Sequence, residues 1–217
     1  MNAEILQAEV AQLRTALAGH GLQPYQIDSF AAHFRLLRRW NPTHNLTRVL
    51  APEAAAVRHY LDCSLPLLGE EAPLNIFDIG SGAGFPGLMA AILWPETSVT
   101  LVEPSRKRAS FLQIAAGELR LPNVRISTPM LSFGQTAARV LSRATFSATS
   151  RQELWRYVAS NGSLWAWTTE HERSTWELEA FTWNPLQTTW HPYSLPTTQD
   201  GVHLKHGVLR VVRGPTV

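Results

Sequence analysis

The sequence has little cysteine, little lysine and no long apolar run. Cys63 is its single cysteine among 217 residues, which excludes an intramolecular disulfide and a cysteine-based metal site. No apolar run approaches the ~20 residues of a membrane span, and the amino terminus lacks the basic, then apolar pattern of a secretory signal. We therefore expect a cytoplasmic protein with no membrane contact. Charged residues make up 17% and hydrophobic residues 45%, a balance that excludes intrinsic disorder as the main state.

The charges are unevenly distributed along the chain. The net charge is +2, and 17 of the 19 basic residues are arginine. Residues 104–156 carry nine basic and two acidic residues, whereas residues 67–103 carry five acidic residues and no basic one. This pattern indicates a basic face for a polyanion beside a pocket that avoids cations. A genome rich in arginine codons would explain the arginine usage equally well.

Hydrophobic periodicity predicts two parts. Apolar residues recur at helical spacing in 6–17, 27–37 and 52–61, with a turn predicted at Trp40-Asn41-Pro42. Residues 1–70 are therefore predicted to be a helical extension, and 71–217 the main domain. Within the latter, strands are predicted at 74–80, 98–104, 123–127, 138–142 and 163–169, and helices at 86–94, 105–120 and 150–159. This alternation predicts an α/β fold with a mostly parallel sheet, and strand-like pieces in 186–213 predict an antiparallel pair at one edge.

A glycine-rich loop, DIGSGAGFPG at 78–87, joins the first predicted strand to a helix. Glycines there let the backbone turn sharply and let a ligand approach closely. Gly82, Gly84 and Gly87 fit the dinucleotide pattern G-x-G-x-x-G, while Gly80, Gly82 and Gly84 fit the D-x-G-x-G-x-G pattern of S-adenosylmethionine enzymes. Glu103, at the end of the second strand, suits the ribose of either ligand. The loop alone leaves both ligands open, and also a turn that binds nothing.

Electrostatics favours S-adenosylmethionine. A pyrophosphate needs a positive environment, whereas Asp78 lies directly before this loop. S-adenosylmethionine carries a sulfonium and an ammonium group, which suit the acidic, base-free segment 67–103.

Five stretches of the chain, taken together, indicate a protein family more specifically than the glycine-rich loop does on its own. They are Trp40-Asn41 with Asn45-Leu46-Thr47, Arg58-His59-Tyr60-Leu61-Asp62, DIGSGAGFPG, LVEPSRKRASFLQ, and Ser142-Arg143-Ala144. Across about residues 35–145 the chain resembles the GidB family, also called RsmG, the bacterial guanine-N7 methyltransferases of small-subunit ribosomal RNA. The resemblance implies a Rossmann-like class I methyltransferase sheet with an N-terminal helical extension. It also implies S-adenosylmethionine as cofactor and a guanosine of 16S rRNA, free or in the small subunit, as acceptor. The sequence itself indicates no obligate protein partner.

The candidate site residues follow from the loop, the basic residues and this resemblance. The candidates for cofactor binding are Asp78, Gly80, Ser81, Gly82, Gly84, Phe85, Glu103, Leu131, Ser132 and Arg143. The candidates for RNA binding are Arg35, Arg38, Arg39, Asn45, Thr47, Arg58, Lys107 and Arg108. A helix cap or turn explains Asn45 and Thr47 equally well, and a solvated face explains the charged residues.

The chemistry needs alignment more than a base. Guanine N7 already presents a lone pair, so no group has to deprotonate it, and rate comes from holding N7, methyl and sulfur in line. Arg143 is the candidate catalytic residue because its guanidinium could donate to guanine O6 or to a phosphate. An ion pair with Asp78, Glu103 or Asp62 is the alternative. His59 and Asp62, three residues apart on one helix, are expected to form a structural pair.

Three departures from the family pattern leave a second function open. Ser132 stands where the family usually has an acidic residue, Ala138-Arg139 lack the acid before the fourth strand, and Thr168-Thr169 replace a Lys-Gly pair. They favour, as an alternative, a member that binds RNA without transferring methyl. Trp165 and Trp167 alternate on a strand and are expected in the core. His203 and His206 have no acid or cysteine beside them, so no metal site is expected.

Overall fold

The computed structural model describes residues 2–128, 134–143, 148–197 and 206–215, with only the backbone of 148–150. The chain begins with a set of helices. They are α1 (Ala3–Leu17), α2 (Pro24–His44), α3 (Pro52–Ala55), a π-helical segment (Ala56–Leu61), α4 (Asp62–Ser64) and a 3-10 turn (Leu65–Leu67). None of the helices in the described ranges is long and apolar enough to cross a membrane.

Strands and helices then alternate. The strands are β1 (Asn75–Ile79), β2 (Ser98–Val102), β3 (Val124–Ser127), β4 (Ala137–Ser142), β5 (Val158–Thr169), β6 (Gln187–Tyr193) and β7 (His206–Val212). The helices between them are α5 (Gly87–Leu93), α6 (Arg106–Glu118), α7 (Ala148–Trp155) and α8 (Glu170–Phe181).

The seven strands form one sheet in the order β3-β2-β1-β4-β5-β7-β6. The first five strands are parallel, and β7 runs antiparallel to both β5 and β6. The expected antiparallel pair therefore lies at one side of the sheet, with β6 at the edge and β7 between β6 and β5. The strand order reverses between β1 and β4, and open α/β sheets bind ligands in the crevice beyond such a point.

Strand register brings two candidate residues to the same level of that crevice. Asp78 of β1 pairs with Leu141 of β4. Gly80 and Arg143 each follow two residues later, so both leave the sheet at the carboxyl ends of neighbouring strands.

The N-terminal helices and the sheet share one hydrophobic core. A single buried cluster includes Leu13 and Phe34 of the helices together with Leu88, Phe111 and Trp165 of the α/β part. Trp167 belongs to the same cluster, so core packing of the two tryptophans is confirmed. Alternate residues of β5, among them Leu164 and Ala166, contribute to a second cluster with α7 and α8.

One predicted turn is wrong. Helix α2 runs through Trp40-Asn41-Pro42 and ends at His44. Pro42 removes one backbone hydrogen bond near the end of the helix, where the cost is small because few turns follow. Packing of the Trp40 ring against Phe111, 6.1 Å between centroids, favours continuing the helix.

The segment after β4 also differs from the prediction. Helix α7 ends at Trp155, and β5 begins at Val158 rather than at 163. Val158 is buried and pairs with Ala137 before the register shifts to Arg139 opposite Ser163. Periodicity alone could not separate these apolar residues from a helix. Helix α8 had no counterpart in the sequence prediction, because its alternating charged residues give only a weak apolar stripe.

Candidate active site

The glycine loop leaves β1 in a conformation that favours glycine. Gly80, Gly82 and Gly84 have φ values of 80°, 57° and 96°. A Cβ atom on Gly84 would collide with Leu88, whereas one on Gly82 would meet nothing closer than the Gly80 carbonyl oxygen, 3.8 Å away. Gly84 is therefore fixed by packing, and Gly82 has an open side. Ser81 closes the loop by donating its hydroxyl to the Asp78 carbonyl oxygen at 2.9 Å.

The last glycine of the loop accommodates a carboxyl group. The Gly87 N–H donates to Asp78 Oδ2 at 3.0 Å, and a Cβ on Gly87 would overlap that carboxyl group and Leu101. Asp78 Oδ1 has no hydrogen-bond partner among the described residues. Burial raises the pKa of Asp78 to about 7, and the hydrogen bond from the Gly87 N–H only partly opposes this.

Glu103 links the loop to the end of β2. Its Oε2 atom accepts from the Gly82 N–H at 2.9 Å, and its Oε1 atom accepts from the Ser105 N–H at 2.8 Å. Each carboxylate oxygen has two lone pairs. Glu103 can therefore hold the loop and still accept a hydrogen bond from a ligand hydroxyl.

The N-terminal helices support the loop from behind. His33 Nε2 lies 2.9 Å from the Ala83 carbonyl oxygen. Since a carbonyl oxygen only accepts, Nε2 carries the proton and Nδ1 accepts from the Tyr60 hydroxyl at 2.8 Å. Burial lowers the pKa of His33 to about 4, so this histidine is neutral. The sequence analysis missed His33 because it lies on the apolar face of α2 without any motif.

Phe85 and His59 form an aromatic stack beside the loop. Their rings are 4.8 Å apart and nearly parallel, at 23°. Burial, with the positive charge of Arg143, lowers the pKa of His59 to about 3. His59 Nε2 lies 2.8 Å from Thr47 Oγ1, so the expected pair with Asp62 is replaced by a hydrogen bond to Thr47.

Arg143 forms an ion pair with Asp62. Its Nε donates to Asp62 Oδ2 at 2.7 Å, and its Nη2 donates to the Arg58 carbonyl oxygen. Of the three acids that the sequence offered as partners, the structure selects Asp62. Nearby Asp62 raises the pKa of Arg143 despite its burial.

Asp62 is the centre of a larger network. Its Oδ1 atom accepts from the Tyr193 hydroxyl at 2.6 Å and from His206 Nδ1 at 2.7 Å, and its carbonyl oxygen accepts from Trp167 Nε1 at 2.9 Å. Burial alone would raise the pKa of Asp62, but Arg143 and His206 together lower it below its ordinary value. No local pattern marks Tyr193 and His206, since β6 and β7 bring them here from the far end of the chain.

The profile of the family described as "GidB: rRNA small subunit methyltransferase G" matches residues 26–196. The chain belongs to the GidB family. A relative from Nitrosomonas europaea, named ribosomal RNA small subunit methyltransferase G, is 40% identical over 134 residues, which are 60% of this chain and 62% of that protein. A relative of the same name from Neisseria meningitidis is 33% identical over 159 residues, 71% of this chain and 77% of that protein. The match to the Nitrosomonas protein thus spans less than two thirds of its length.

A solved structure shows the same fold. A methyltransferase from Pyrococcus furiosus superposes with a TM-score of 0.52 at 15% identity, covering 69% of this chain and 79% of that one. The predicted class I methyltransferase sheet with added N-terminal helices is confirmed.

The residues of this GidB chain that we expected to bind RNA lie in different settings. Arg35 and Arg39 are exposed on α2, and Lys107 and Arg108 are exposed on the first turn of α6. Arg38 instead pairs with Glu9, with Nε–Oε2 at 2.8 Å and Nη2–Oε1 at 2.5 Å, so its charge is neutralised within the protein.

The remaining candidates near α2 have structural partners. Asn45 ends the helix in the left-handed conformation, φ 48°, and its N–H donates to the Asn41 carbonyl oxygen at 2.9 Å. Thr47 accepts from the Val49 N–H at 3.1 Å in addition to its contact with His59. Arg58 is half-buried in the π-helical segment. The cap that the sequence allowed for Asn45 is therefore present.

Three residues named in the sequence analysis lie outside the residues that the structure describes. They are Leu131 and Ser132, expected beside the adenine, and His203. In the described ranges, no three His, Cys, Asp or Glu side chains are grouped so that they could hold a metal ion.

Proposed function

We propose that this protein transfers the methyl group of S-adenosylmethionine to N7 of a guanosine in 16S rRNA. One observation carries the proposal: in a chain of the GidB family, the glycine loop, Glu103 and Arg143 converge at the carboxyl ends of β1, β2 and β4. The relatives' names, which specify small-subunit rRNA, support the choice of acceptor. Such a substrate implies work in the cytoplasm, on the free RNA or on the small subunit.

The residues at this edge fit the cofactor. Gly82 has an open side for close approach of a ligand, and Glu103 has lone pairs left for ribose hydroxyls. Asp78 adds a second carboxyl group, and residues 67–103 contain no basic residue that would repel a sulfonium or an ammonium group. We assign the ribose to Glu103 and the methionine part to the loop of Gly80, Ser81, Gly82, Gly84 and Phe85, next to Asp78. Leu131 and Ser132 stay predictions for the adenine.

The chain's own contribution to the reaction is alignment and charge balance. S-adenosylmethionine supplies an electrophilic methyl group on a cationic sulfur, and guanine N7 supplies a lone pair, so no side chain has to move a proton. Arg143 is held by Asp62 and the Arg58 carbonyl oxygen, which fixes its direction in advance. The Asp62 carboxylate also neutralises Arg143, so this guanidinium can orient a base or phosphate without strongly repelling the cofactor.

The basic residues of α2 and α6 give the RNA a place to bind. The two helices pack together through Trp40 and Phe111, and Arg35, Arg39, Lys107 and Arg108 are exposed on them. We assign RNA phosphates to these side chains, whose contribution should weaken as salt rises.

A dinucleotide oxidoreductase finds less support in the fold. Dinucleotide-binding sheets of the doubly wound type add a sixth parallel strand after β5. Here the antiparallel β7 occupies that position. The spacing of Gly82, Gly84 and Gly87 is the feature that supports the dinucleotide hypothesis.

The test begins with calorimetric titration of S-adenosylhomocysteine into the wild type, Glu103→Gln and the control Glu118→Gln, which lies exposed at the end of α6. We expect micromolar binding to the wild type and the control. Glu103→Gln should bind at least about tenfold more weakly, since an amide replaces a charged acceptor. Methyl transfer from labelled cofactor to unmodified small subunits, followed by cleavage specific for N7-methylguanosine, then identifies the product.

Two results would contradict the proposal. A folded protein that binds 16S rRNA but no S-adenosylhomocysteine, with or without RNA present, would be an RNA-binding member without transfer activity. A spectral change on mixing with NADH, without methyl transfer, would indicate a dinucleotide site.

A further inference from the structure

A cavity of about 270 Å³ lies beside Arg143, on the side away from the glycine loop. The ends of β4 and β5 and the start of β7 bound it through Arg143, Thr168 and His206, and α8 closes one side through Glu172 and Trp176. Asp62 also lines it. The cavity thus meets the crevice to which we assign the cofactor at Arg143, which Asp62 holds.

The pair Thr168-Thr169, one of the departures from the family pattern, organises one wall of this cavity. Thr169 Oγ1 accepts from the Glu172 N–H at 3.3 Å and so caps α8. Thr168 donates its hydroxyl to Glu172 Oε2 at 3.1 Å. The hydrogen bond from Thr168 orients the Glu172 carboxylate, and the hydrogen bond to Thr169 fixes the start of the helix that carries it.

Glu172 lines this cavity, and its negative charge acts on Arg151, whose pKa is raised mainly by Glu179 and in smaller part by Glu172. Asp62 is committed to Arg143, His206 and Tyr193. Arg151 is committed to Glu179, with Nε–Oε2 at 2.5 Å, and lies 5.0 Å from the centre of the Trp176 ring. In the described part of the chain, Glu172 forms no ion pair within 4.0 Å and accepts a side-chain hydrogen bond from Thr168 alone.

The size of the cavity suits one base. Small-molecule pockets usually hold about 300–1,000 Å³, so this volume is small. It suits a single base turned out of its stack rather than a base pair. Its charged lining comes from different elements, with cationic Arg143 directly after β4 and anionic Glu172 in the first turn of α8.

Both purines carry N7, so a guanine-N7 enzyme has to distinguish guanine from adenine elsewhere on the base. The Watson–Crick edge does this, because guanine N1–H and N2–H₂ are both donors, while adenine N1 is an acceptor. This edge is next to the N7 edge of the base and points roughly at a right angle to it, and its N2 end is the part farthest from N7. When N7 points towards the cofactor crevice, the Watson–Crick edge therefore points towards a neighbouring wall of the cavity, and α8 with Glu172 forms one wall.

We propose that this cavity receives the target guanine and that the Glu172 carboxylate, held by Thr168, accepts hydrogen bonds from guanine N1–H and N2–H₂. Glu172 is then a specificity-determining residue that rejects adenine, since a carboxylate cannot donate to adenine N1. The assignment rests on the proposed function for the reaction and adds to it the group that selects the base.

Nucleotide binding tests the assignment without RNA. GMP or AMP is titrated into protein saturated with S-adenosylhomocysteine, with intrinsic tryptophan fluorescence as the signal, since Trp167 and Trp176 line the cavity. The wild type should prefer GMP, and Glu172→Gln should lower the GMP-to-AMP preference at least about tenfold. The glutamine NH₂ group faces guanine N1–H donor to donor, whereas it can donate to adenine N1 while the amide oxygen accepts from adenine N6–H₂. Glu177→Gln is the control, because Glu177 lies on the same helix and pairs with Arg173.

Methyl transfer separates this inference from the proposed function. We expect Glu172→Gln to lower kcat/KM for small subunits by about 10–100-fold with unchanged affinity for S-adenosylhomocysteine. Thr168→Val, which removes the hydroxyl that holds Glu172, should give a smaller loss in the same direction. Inosine in place of the modified guanosine lacks N2–H₂ and should impair the wild type more than Glu172→Gln.

The outcomes that overturn the inference differ from those that overturn the function. If the wild type methylates guanine N7 while Glu172→Gln matches Glu177→Gln in nucleotide preference and kcat/KM, the base-reading role is wrong and the function stands. If the wild type transfers no methyl to guanine, both fail.

Discussion

Asp62 connects three distant parts of the chain. Its carboxylate lies next to the π-helical segment and receives hydrogen bonds from Arg143 after β4, Tyr193 at the end of β6 and His206 at the start of β7. The side chain is 1% exposed, and that of Arg143 is 22% exposed. A buried charge is tolerated only when it is paired and hydrogen-bonded.

Replacing Asp62 should therefore be costly. Asp62→Asn leaves the Arg143 guanidinium without its counter-charge, and we expect the free energy of unfolding to fall by about 3–5 kcal/mol. Urea denaturation at pH 7.5 measures the loss. The control is Asp28→Asn, since Asp28 pairs with Arg14 where the two side chains are 60% and 43% exposed, and such pairs contribute about 1 kcal/mol or less. Equal effects of the two changes would show that the Asp62 network adds nothing.

The Asp78 carboxylate, unlike that of Asp62, should destabilise the folded protein when it is ionised. Burial raises its pKa from 3.8 to about 7, so the folded state holds the proton more tightly than the unfolded state. The free energy of unfolding should then fall as the pH rises from about 4 to 7, by up to roughly 4 kcal/mol from this group. Asp78→Asn removes this contribution. Denaturation of both proteins between pH 4.5 and 8 should show curves that converge at low pH, and parallel curves would contradict the assignment.

At the scale of elements, the glycine loop combines backbone conformation with packing. Gly84 has a positive φ, and its missing side chain makes room for Leu88 of α5. Gly69 has a φ of 80° but open space around it. An alanine at Gly69 would therefore introduce backbone strain alone, whereas an alanine at Gly84 would add steric overlap with Leu88.

Gly84→Ala should destabilise the protein more than Gly69→Ala. Both changes carry the backbone penalty of about 1 kcal/mol or more, and overpacking against Leu88 adds about 1–3 kcal/mol at Gly84 alone. Gly84→Ala should also weaken S-adenosylhomocysteine binding, because the loop has to shift. Thermal melting and calorimetry measure the two effects. Similar melting temperatures for the two variants would show that the loop adjusts without strain.

At the scale of the molecule, the boundary predicted at residue 70 does not coincide with a boundary in the hydrophobic core. Phe30 and Phe34 of α2 and Tyr60 of the π-helical segment lie in the same buried cluster as Phe85 and Phe111 of the α/β part. His33 contacts the loop that we assign to the cofactor. Removing the helices would expose this apolar surface and release the loop.

We expect residues 71–217 alone to lack a cooperative unfolding transition and to bind no S-adenosylhomocysteine. The reason is that a large part of their apolar surface is covered by residues 1–70. Circular dichroism during urea titration and calorimetry check both points against the full chain. A fragment that unfolds cooperatively with full affinity would establish 71–217 as an independent domain.

Local sequence determined most of the elements and the position of the loop. The apolar runs ending at Asp78 and Glu103, and the glycines after β1, fix a strand-turn-helix whatever surrounds them, because period and backbone freedom are local properties. Where tertiary contacts outweighed local signals, the prediction was wrong: α2 continued through Pro42, and β5 began at Val158.

Only the tertiary structure decided which charges meet. The sequence offered Arg143 three acidic partners, and the strand order with the antiparallel β7 brought Asp62, Tyr193 and His206 to it. It also placed Glu172 at the cavity beside Arg143, whereas the contacts of Thr168 and Thr169 with Glu172 are local, four and three residues apart. Asp62 is separated from Arg143, Tyr193 and His206 by 81, 131 and 144 residues along the chain. Their meeting depends on packing of the whole sheet, which no local pattern records.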